Sequence, residues 1–290
     1  MNYSKFCAIL NKHIFEGEKR ELLKKLADSP ERFIGLFRPS KPGTKILQHL
    51  LQSHEIRFGD ALEELIEEIL KDLGYLILQK SITTANGEDL SLDQFFTDGE
   101  SYYFIEQKIR DDHDSTKKRG QMKNFESKLE ELFRIYGNKL IGIMYFVDPD
   151  LEKNRNFYKS ELNRLNKYYQ IPLYLFYGKE LFDFLKSSIY WKRLLYWLNK
   201  WKKSLPEIPE IDFDKNPQES FQEIKDLEIR YWRRLLENDK LWKEGIIQAI
   251  FRTGQTLDLI LNYFTNQKSA PYQRLSKLLQ KRLKEYYRKK

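Results

Sequence analysis

The sequence predicts an α/β fold: a mixed sheet flanked by helices, followed by a helical C-terminal region. Three observations carry this expectation. An amphipathic helical pattern over residues 58–73 gives way at Gly74 to short strand-like segments that fold back on one another. Two nearly uniform apolar runs, 140–147 and 171–177, then alternate with helical stretches, as buried strands joined by helical crossovers do. Beyond about residue 180 strand patterns vanish, and all five tryptophans lie in that remaining part.

Taken in order, residues 18–27 suit a helix, and the proline- and glycine-bearing stretch 38–43 a loop. Residues 45–52 resume a helical pattern. In 58–73, Leu62, Leu65, Ile66, Ile69, Leu70 and Leu73 recur at three and four, and Gly74 ends the helix. Residues 75–80 read as a strand, and 90–96 alternate as a second. Asp98-Gly99 is a hairpin signal, and 102–109 open with aromatic and β-branched residues as a third strand. The charge-dense stretch 110–120 reads as a loop, with a helix from about 121 to 136. Residues 154–169 suit another helix, and Pro206 and Pro209 mark a bend or linker within 204–217. This divides the chain into an N-terminal helical segment (1–56), a core (57–184) and a helical basic region (185–290).

Composition narrows the function. The 290 residues include 51 Lys+Arg and 43 Asp+Glu, for a net charge of +8. Residues 261–290 hold nine basic residues (Lys268, Arg274, Lys277, Lys281, Arg282, Lys284, Arg288, Lys289, Lys290) against one acid, Glu285, and so carry the whole net charge. Such a tail suits either a solvated helix end or an anion-binding element, with nucleic acid the first candidate. A single cysteine, Cys7, excludes a disulfide framework, and four scattered histidines offer no metal cluster. No apolar run is long enough to span a membrane, and the N-terminus does not resemble a secretion signal, so a cytoplasmic protein is expected. Neither a phosphate-binding Gly-x-x-x-x-Gly-Lys loop nor a dinucleotide glycine pattern is present.

The residues that point to chemistry are Asp93 and, twelve positions on, Glu106-Gln107-Lys108. Glu-x-Lys also occurs at Glu126-Ser127-Lys128 and Glu223-Ile224-Lys225, but there in helical patterns. On a strand, residues i and i+2 share a face, so Glu106 and Lys108 point the same way. The turn at Asp98-Gly99 brings Asp93 back beside Glu106. Two close carboxylates repel and are stabilised by a divalent cation; Mg²⁺ keeps several waters, so two carboxylates suffice. Lys108 would orient, and help deprotonate, a metal-bound water. The same residues would also suit a surface hairpin with a same-face ion pair. Glu63, opening the polar side of the 58–73 helix, could add a third acid, or serve only as an acid favoured in a first turn. Arg110, Lys117, Lys118, Arg119 and Lys123 lie close enough in sequence to hold a phosphodiester beside the cation, with Gln121 and Asn124 opening the next helix. An exposed polar loop fits them equally.

The order of a helix with Gly59-x-x-x-Glu63, three strands, Asp93, Glu106-Gln107-Lys108, a helix and a strand resembles the PD-(D/E)xK nuclease superfamily over about residues 57–178. Within it, the stretch from Glu106-Gln107-Lys108-Ile109-Arg110-Asp111-Asp112-His113 to Gly120-Gln121 is similar to type II restriction endonucleases of the HpyAIV-like group. The resemblance implies a restriction-endonuclease-like core, Asp93 and Glu106 as metal ligands, Lys108 as the catalytic lysine and Glu63 as an auxiliary acid. It further implies Mg²⁺-dependent hydrolysis of double-stranded DNA at a short sequence, a homodimer, and a cognate DNA methyltransferase in the same system. The helical basic region would then grip DNA, build the dimer, or both. One departure is Leu92, where the family has a proline, and Asp98 is a second upstream acid that the turn makes the poorer ligand. Two other functions remain in view: a structure-specific or repair nuclease on the same core, and a non-catalytic nucleic-acid-binding protein.

Overall fold

The computed structural model describes residues 1–290 except 36, 38, 85, 86, 88, 289 and 290. Arg38 of the expected loop and Lys289 and Lys290 of the basic tail lie outside the described residues. The chain begins with helices α1 (Tyr3–Phe15), α2 (Glu18–Asp28) and α3 (Pro42–Asp72). Five strands follow: β1 (Leu76–Ile77), β2 (Ser81–Thr83), β3 (Asp89–Ser91), β4 (Gln94–Thr97) and β5 (Tyr102–Lys108). Next come α4 (Ser115–Tyr136), β6 (Leu140–Phe146), α5 (Arg155–Tyr169) and β7 (Leu173–Tyr177). The remainder is helical: α6 (Lys179–Phe184), α7 (Ser188–Lys202), α8 (Pro217–Ile224), α9 (Ile229–Glu237), α10 (Asp239–Lys243), α11 (Ile246–Ile250), α12 (Gln255–Asn266) and α13 (Ala270–Arg288).

The expected α/β class is what forms. One sheet has the order β1-β4-β5-β6-β7; β1, β4 and β5 pair antiparallel, whereas β5, β6 and β7 pair parallel. β2 and β3 make a separate two-stranded ribbon. β6 is central and almost wholly buried, as its apolar run requires. Gly142 in β6 lets its neighbours close in: a Cβ there would stand 2.6 Å from Leu173 Cδ2 and 3.1 Å from Leu129 Cδ1. The β4–β5 turn is held by Asp98, whose Oδ1 accepts from the N–H groups of Glu100 (2.9 Å) and Ser101 (2.8 Å), with Gly99 at φ +96°.

Several boundaries differ from the sequence expectation. The patterns at 45–52 and 58–73 join into one helix, α3, because residues 53–57 contain no glycine or proline to interrupt it; Pro42 opens that helix, where its missing N–H costs nothing. The expected strand over 90–96 breaks into β3 and β4, leaving Leu92 and Asp93 between them. The helix expected from 121 starts at Ser115, because the Asp114 carboxylate caps it, accepting from the N–H groups of Thr116 (3.0 Å) and Lys117 (2.8 Å). Gln121 and Asn124 therefore lie two turns inside α4 and not at its N-terminus.

The chain divides into two compact units, residues 1–13 with 58–205, and 14–57 with 206–290. Thus the expected N-terminal segment 1–56 is shared between the units, and α7 belongs with the sheet. In the first unit, Met122, Phe125, Leu129 and Leu132 of α4 pack with Phe104, Leu140, Met144 and Phe146 of the sheet and Tyr158, Leu162 and Leu165 of α5. There too, Trp201 Nε1 donates to Asn11 Oδ1 at 3.0 Å and Phe6 lies 5.4 Å from Trp197. The second unit is all helical. Leu22, Leu23 and Leu26 of α2 share its core with Trp232, Leu235 and Leu236 of α9, Ile260 of α12 and Leu279 of α13. Asp214 is buried there and fastens the start of α12, accepting from the N–H groups of Thr253 (2.8 Å), Gly254 (2.7 Å) and Thr256 (2.8 Å).

Candidate active site

The site is built on β5. Phe104, Glu106 and Lys108 alternate onto the face covered by α4, where Phe104 stacks on Phe125 at 5.2 Å between ring centroids. One step further along both elements, Glu106 meets Lys128: two residues on in a strand and three on in a helix point the same way as their predecessors. The register of the hairpin pairs Gln94 with Ile105, so Asp93, just before β4, stands beside Glu106.

Four charges converge there. Lys108 Nζ lies 3.1 Å from Asp93 Oδ2 and 2.9 Å from Glu106 Oε1, and donates to the Gln107 carbonyl at 2.8 Å. Lys128 Nζ lies 2.6 Å from Glu106 Oε2 and 3.9 Å from Asp93 Oδ1. The Gln107 N–H donates to Asp93 Oδ2 at 2.7 Å, and Asn124 Nδ2 to Glu106 Oε1 at 3.2 Å. Glu106 is 1 % exposed and Lys128 5 %, so this is a nearly closed network in which two ammonium groups offset two carboxylates. Burial alone would lower Lys108, but Glu106 and Asp93 outweigh it and hold its ammonium above the usual range.

Glu63 sits on α3, whose backbone is tied to the sheet where Gln94 Nε2 donates to the Glu63 carbonyl at 2.8 Å. Burial, reinforced by the charge of Asp93 and resisted by Lys80 and Lys108, pushes its carboxyl up to about 7. Asp98, the rival acid, is spent on its own turn and on the Tyr103 hydroxyl, 2.8 Å away. Of the basic set, Lys117, Arg119 and Lys123 are exposed on α4, and Arg110 follows β5. Lys118 instead turns inward: it donates to Asn154 Oδ1 at 3.0 Å and lies 4.7 Å from the centre of the Phe157 ring. Gln121 accepts from the Tyr158 hydroxyl at 2.6 Å.

Sequence reasoning missed or misplaced three parts of this site, Asn124 among them as a helix start. Lys128 was set aside with its Glu-x-Lys triplet, although it falls on the apolar stripe Phe125-Lys128-Leu129-Leu132, where a lysine needs a buried partner. Asn124, one turn earlier, shares that direction. The third is Asp111, fully buried, which anchors the segment after β5: it accepts from Asn154 N (2.7 Å) and Nδ2 (2.8 Å) and from the Tyr177 hydroxyl (2.9 Å).

The donor set suits a hard cation. Both candidate ligands are carboxylates, and Mg²⁺ is satisfied by one or two of these together with water. Among the described residues no group of three or more His, Cys, Asp and Glu is arranged to hold a metal, so any ion here would rest on Asp93 and Glu106. No helix among the described residues is long and apolar enough to cross a membrane.

Comparison with known proteins gives this geometry a family. Residues 2–90 and 75–202, two overlapping stretches that together cover most of the chain, match the family model described as Type II restriction endonuclease, HinfI. A search of curated proteins found no match. The match favours a restriction endonuclease over a structure-specific or repair nuclease or a non-catalytic nucleic-acid-binding protein. The mixed sheet and its flanking helices are compatible with a restriction-endonuclease-like core, and the chain belongs to the HinfI family of type II restriction endonucleases, site-specific deoxyribonucleases.

Proposed function

We propose that the protein is a Mg²⁺-dependent endonuclease that hydrolyses both strands of double-stranded DNA at a short specific sequence, with Asp93 and Glu106 as metal ligands and Lys108 as the catalytic lysine. The observation that carries this reading is the Lys108 ammonium held between the two carboxylates, at 3.1 and 2.9 Å. When bound, Mg²⁺ supplies Lewis acidity at the phosphoryl group and acidifies water.

The chain's own residues divide the remaining work. Without the ion, both carboxylates favour the charged form of Lys108. Beside a bound ion, Lys108 is placed to orient the attacking water and to neutralise charge developing on the phosphate. Glu63, with its carboxyl pushed up to about 7, has a proton affinity matched to accepting the proton of the attacking water near neutrality. The water oxygen forms the new P–O bond, the bond to the leaving sugar oxygen breaks, and that oxygen takes up a proton from solvent. Lys128 and Asn124 hold Glu106 in place throughout. Arg110, Lys117, Arg119 and Lys123 contact phosphates, which fixes register; Lys118 and Gln121 act by anchoring α4 to neighbouring residues.

Two strands need two sites, so the enzyme works as a homodimer. It acts in the cytoplasm, beside a cognate DNA methyltransferase that protects the host's own sites. The test is a digest of unmethylated phage DNA with Mg²⁺ or EDTA, beside Asp93→Asn, Glu106→Gln and Lys108→Ala. Discrete fragments that need both Mg²⁺ and Lys108 are expected. Cleavage by Lys108→Ala at the wild-type rate would sink the assignment, and a smear in place of bands would refute sequence specificity.

A further inference from the structure

We propose that α13 presents a second DNA-binding element, a stripe of five basic side chains that tracks the phosphate backbone of duplex DNA. This rests on the reading that the substrate is duplex DNA. The helix has two unlike sides. Leu275, Leu279, Leu283 and Tyr286 are buried in the core of the helical unit. Arg274, Lys277, Lys281, Lys284 and Arg288 are all exposed and recur at intervals of three, four, three and four, which sets them in one line along the other side.

The stripe is free of acids in a way the rest of the surface is not. Among the described residues none of its five members makes an ion pair, whereas most other helices carry such pairs, as Arg134 with Glu130 or Lys71 with Glu67. The only acid in α13, Glu285, faces Arg282. Arg282 itself is drawn inward, donating to the Leu236 carbonyl at 2.7 Å and pairing with Asp239 at 2.6 Å, so it is not part of the line. Like charges three and four apart destabilise a helix. An uninterrupted line of them, on a helix whose other side supplies ordinary core residues, is accounted for by a partner of opposite charge. The line of fourteen residues spans about 21 Å, the length of about six base pairs of duplex at 3.4 Å each. The family match covers residues 2–202, so α13 lies outside the matched residues. A repeating phosphate chain fits this surface, because its charges recur at a regular rise as those of the stripe do. A second copy of the same face is excluded by its own repulsion.

The test uses the full-length chain carrying Glu106→Gln, so that DNA is bound and not cut. Binding to a fluorescein-labelled 30-base-pair duplex is measured by anisotropy in EDTA between 50 and 200 mM KCl, with and without Lys277→Gln/Lys281→Gln/Lys284→Gln. Each lost phosphate contact removes about 0.9 from the slope of log K against log salt, so the triple variant should be shallower by about 2.7. Lysine-to-arginine changes at the same three positions should restore it. Equal slopes for parent and triple variant, with matching melting temperatures, would overturn the proposal, and a stripe built for an acidic protein would give that result. In parallel, the triple variant with Glu106 intact should give the wild type's fragments more slowly at 150 mM salt. If the wild type itself does not cut, the nuclease reading fails while the slope still decides the stripe.

Discussion

Replacing Lys128 by methionine removes one ammonium from the centre of the network and leaves the volume of its stem. Glu106 then loses its 2.6 Å partner and keeps two others, Lys108 at 2.9 Å and Asn124 at 3.2 Å. Removing one member of a buried ion pair costs about 3–5 kcal/mol, because the survivor stays buried and less well paired. The two remaining donors place the expectation at the lower end, about 3 kcal/mol. For a domain of 150–250 residues each kcal/mol is worth about 2–4 °C, so Lys128→Met should melt about 6–12 °C below the wild type in EDTA. Cleavage should fall with it, since Glu106 is no longer held from both sides.

Two controls make that reasoning refutable. Glu126→Gln breaks only an exposed pair with Arg164 at 3.0 Å and should cost at most about 1 kcal/mol, although it lies in the same Glu-x-Lys triplet. The double variant Glu106→Gln/Lys128→Met removes both charges and should recover at least half of the loss, because no unpaired charge stays buried. A Lys128→Met protein that melts within about 2 °C of the wild type, or a double variant that is no better than the single one, would refute the assignment of Lys128 as the buried counter-ion of Glu106.

Two further outcomes follow from the titrating groups. The Glu63 carboxyl rises from 4.5 to about 7 on folding, so the folded state binds its proton more tightly; this stabilisation is complete below pH ~4.5 and lost as pH rises towards ~7. Glu63→Gln should therefore flatten the fall in stability across that window, measured by urea denaturation in EDTA, and a curve parallel to the wild type would contradict it. Asp214 behaves in the opposite sense: burial opposes its charge, but the hydrogen bonds from Thr256, Gly254 and Thr253 outweigh it and hold the carboxyl below its usual range. Its contribution is present above pH ~3.8 and lost as pH falls through the lowered value. Asp214→Asn should cost about 2–3 kcal/mol at pH 7 and converge on the wild type in acid, and a constant difference at every pH would show that charge plays no part.

The strand-borne part of the candidate site was legible because strand periodicity is short and rigid. A two-residue repeat puts Glu106 and Lys108 on one face, and the Asp98-Gly99 turn fixes the register that returns Asp93 to them. The helix was harder to read. A charged run such as 115–120 looks like a loop unless the cap at Asp114 is given priority, and that misplaced start hid the face on which Asn124 and Lys128 lie. The division of the chain carried no local signal at all. Leu22, Leu23 and Leu26 form an apolar stripe of the ordinary kind, and nothing in their neighbourhood states that the partner stripe is Trp232, Leu235 and Leu236, some two hundred residues on. The basic tail was visible as a sum of charges, but only a helix over Ala270–Arg288 turns that sum into a line.

Chemistry and grip are consequently organised on different scales. All four groups of the charged network come from residues 93–128, one hairpin and the helix that follows it, so the network is set by contacts near in sequence and by the packing of Phe104 on Phe125. The basic stripe belongs to a helical unit with its own core, assembled from segments at both ends of the chain. The two lie in different units, although α3 runs through both, with Ile46 and Leu50 in the helical core. Loss of Lys108 should therefore stop cutting while leaving the salt dependence set by α13, and loss of the stripe should weaken binding while leaving the cleaved sequence the same. If the stripe binds phosphates as proposed, the affinity it adds is independent of sequence.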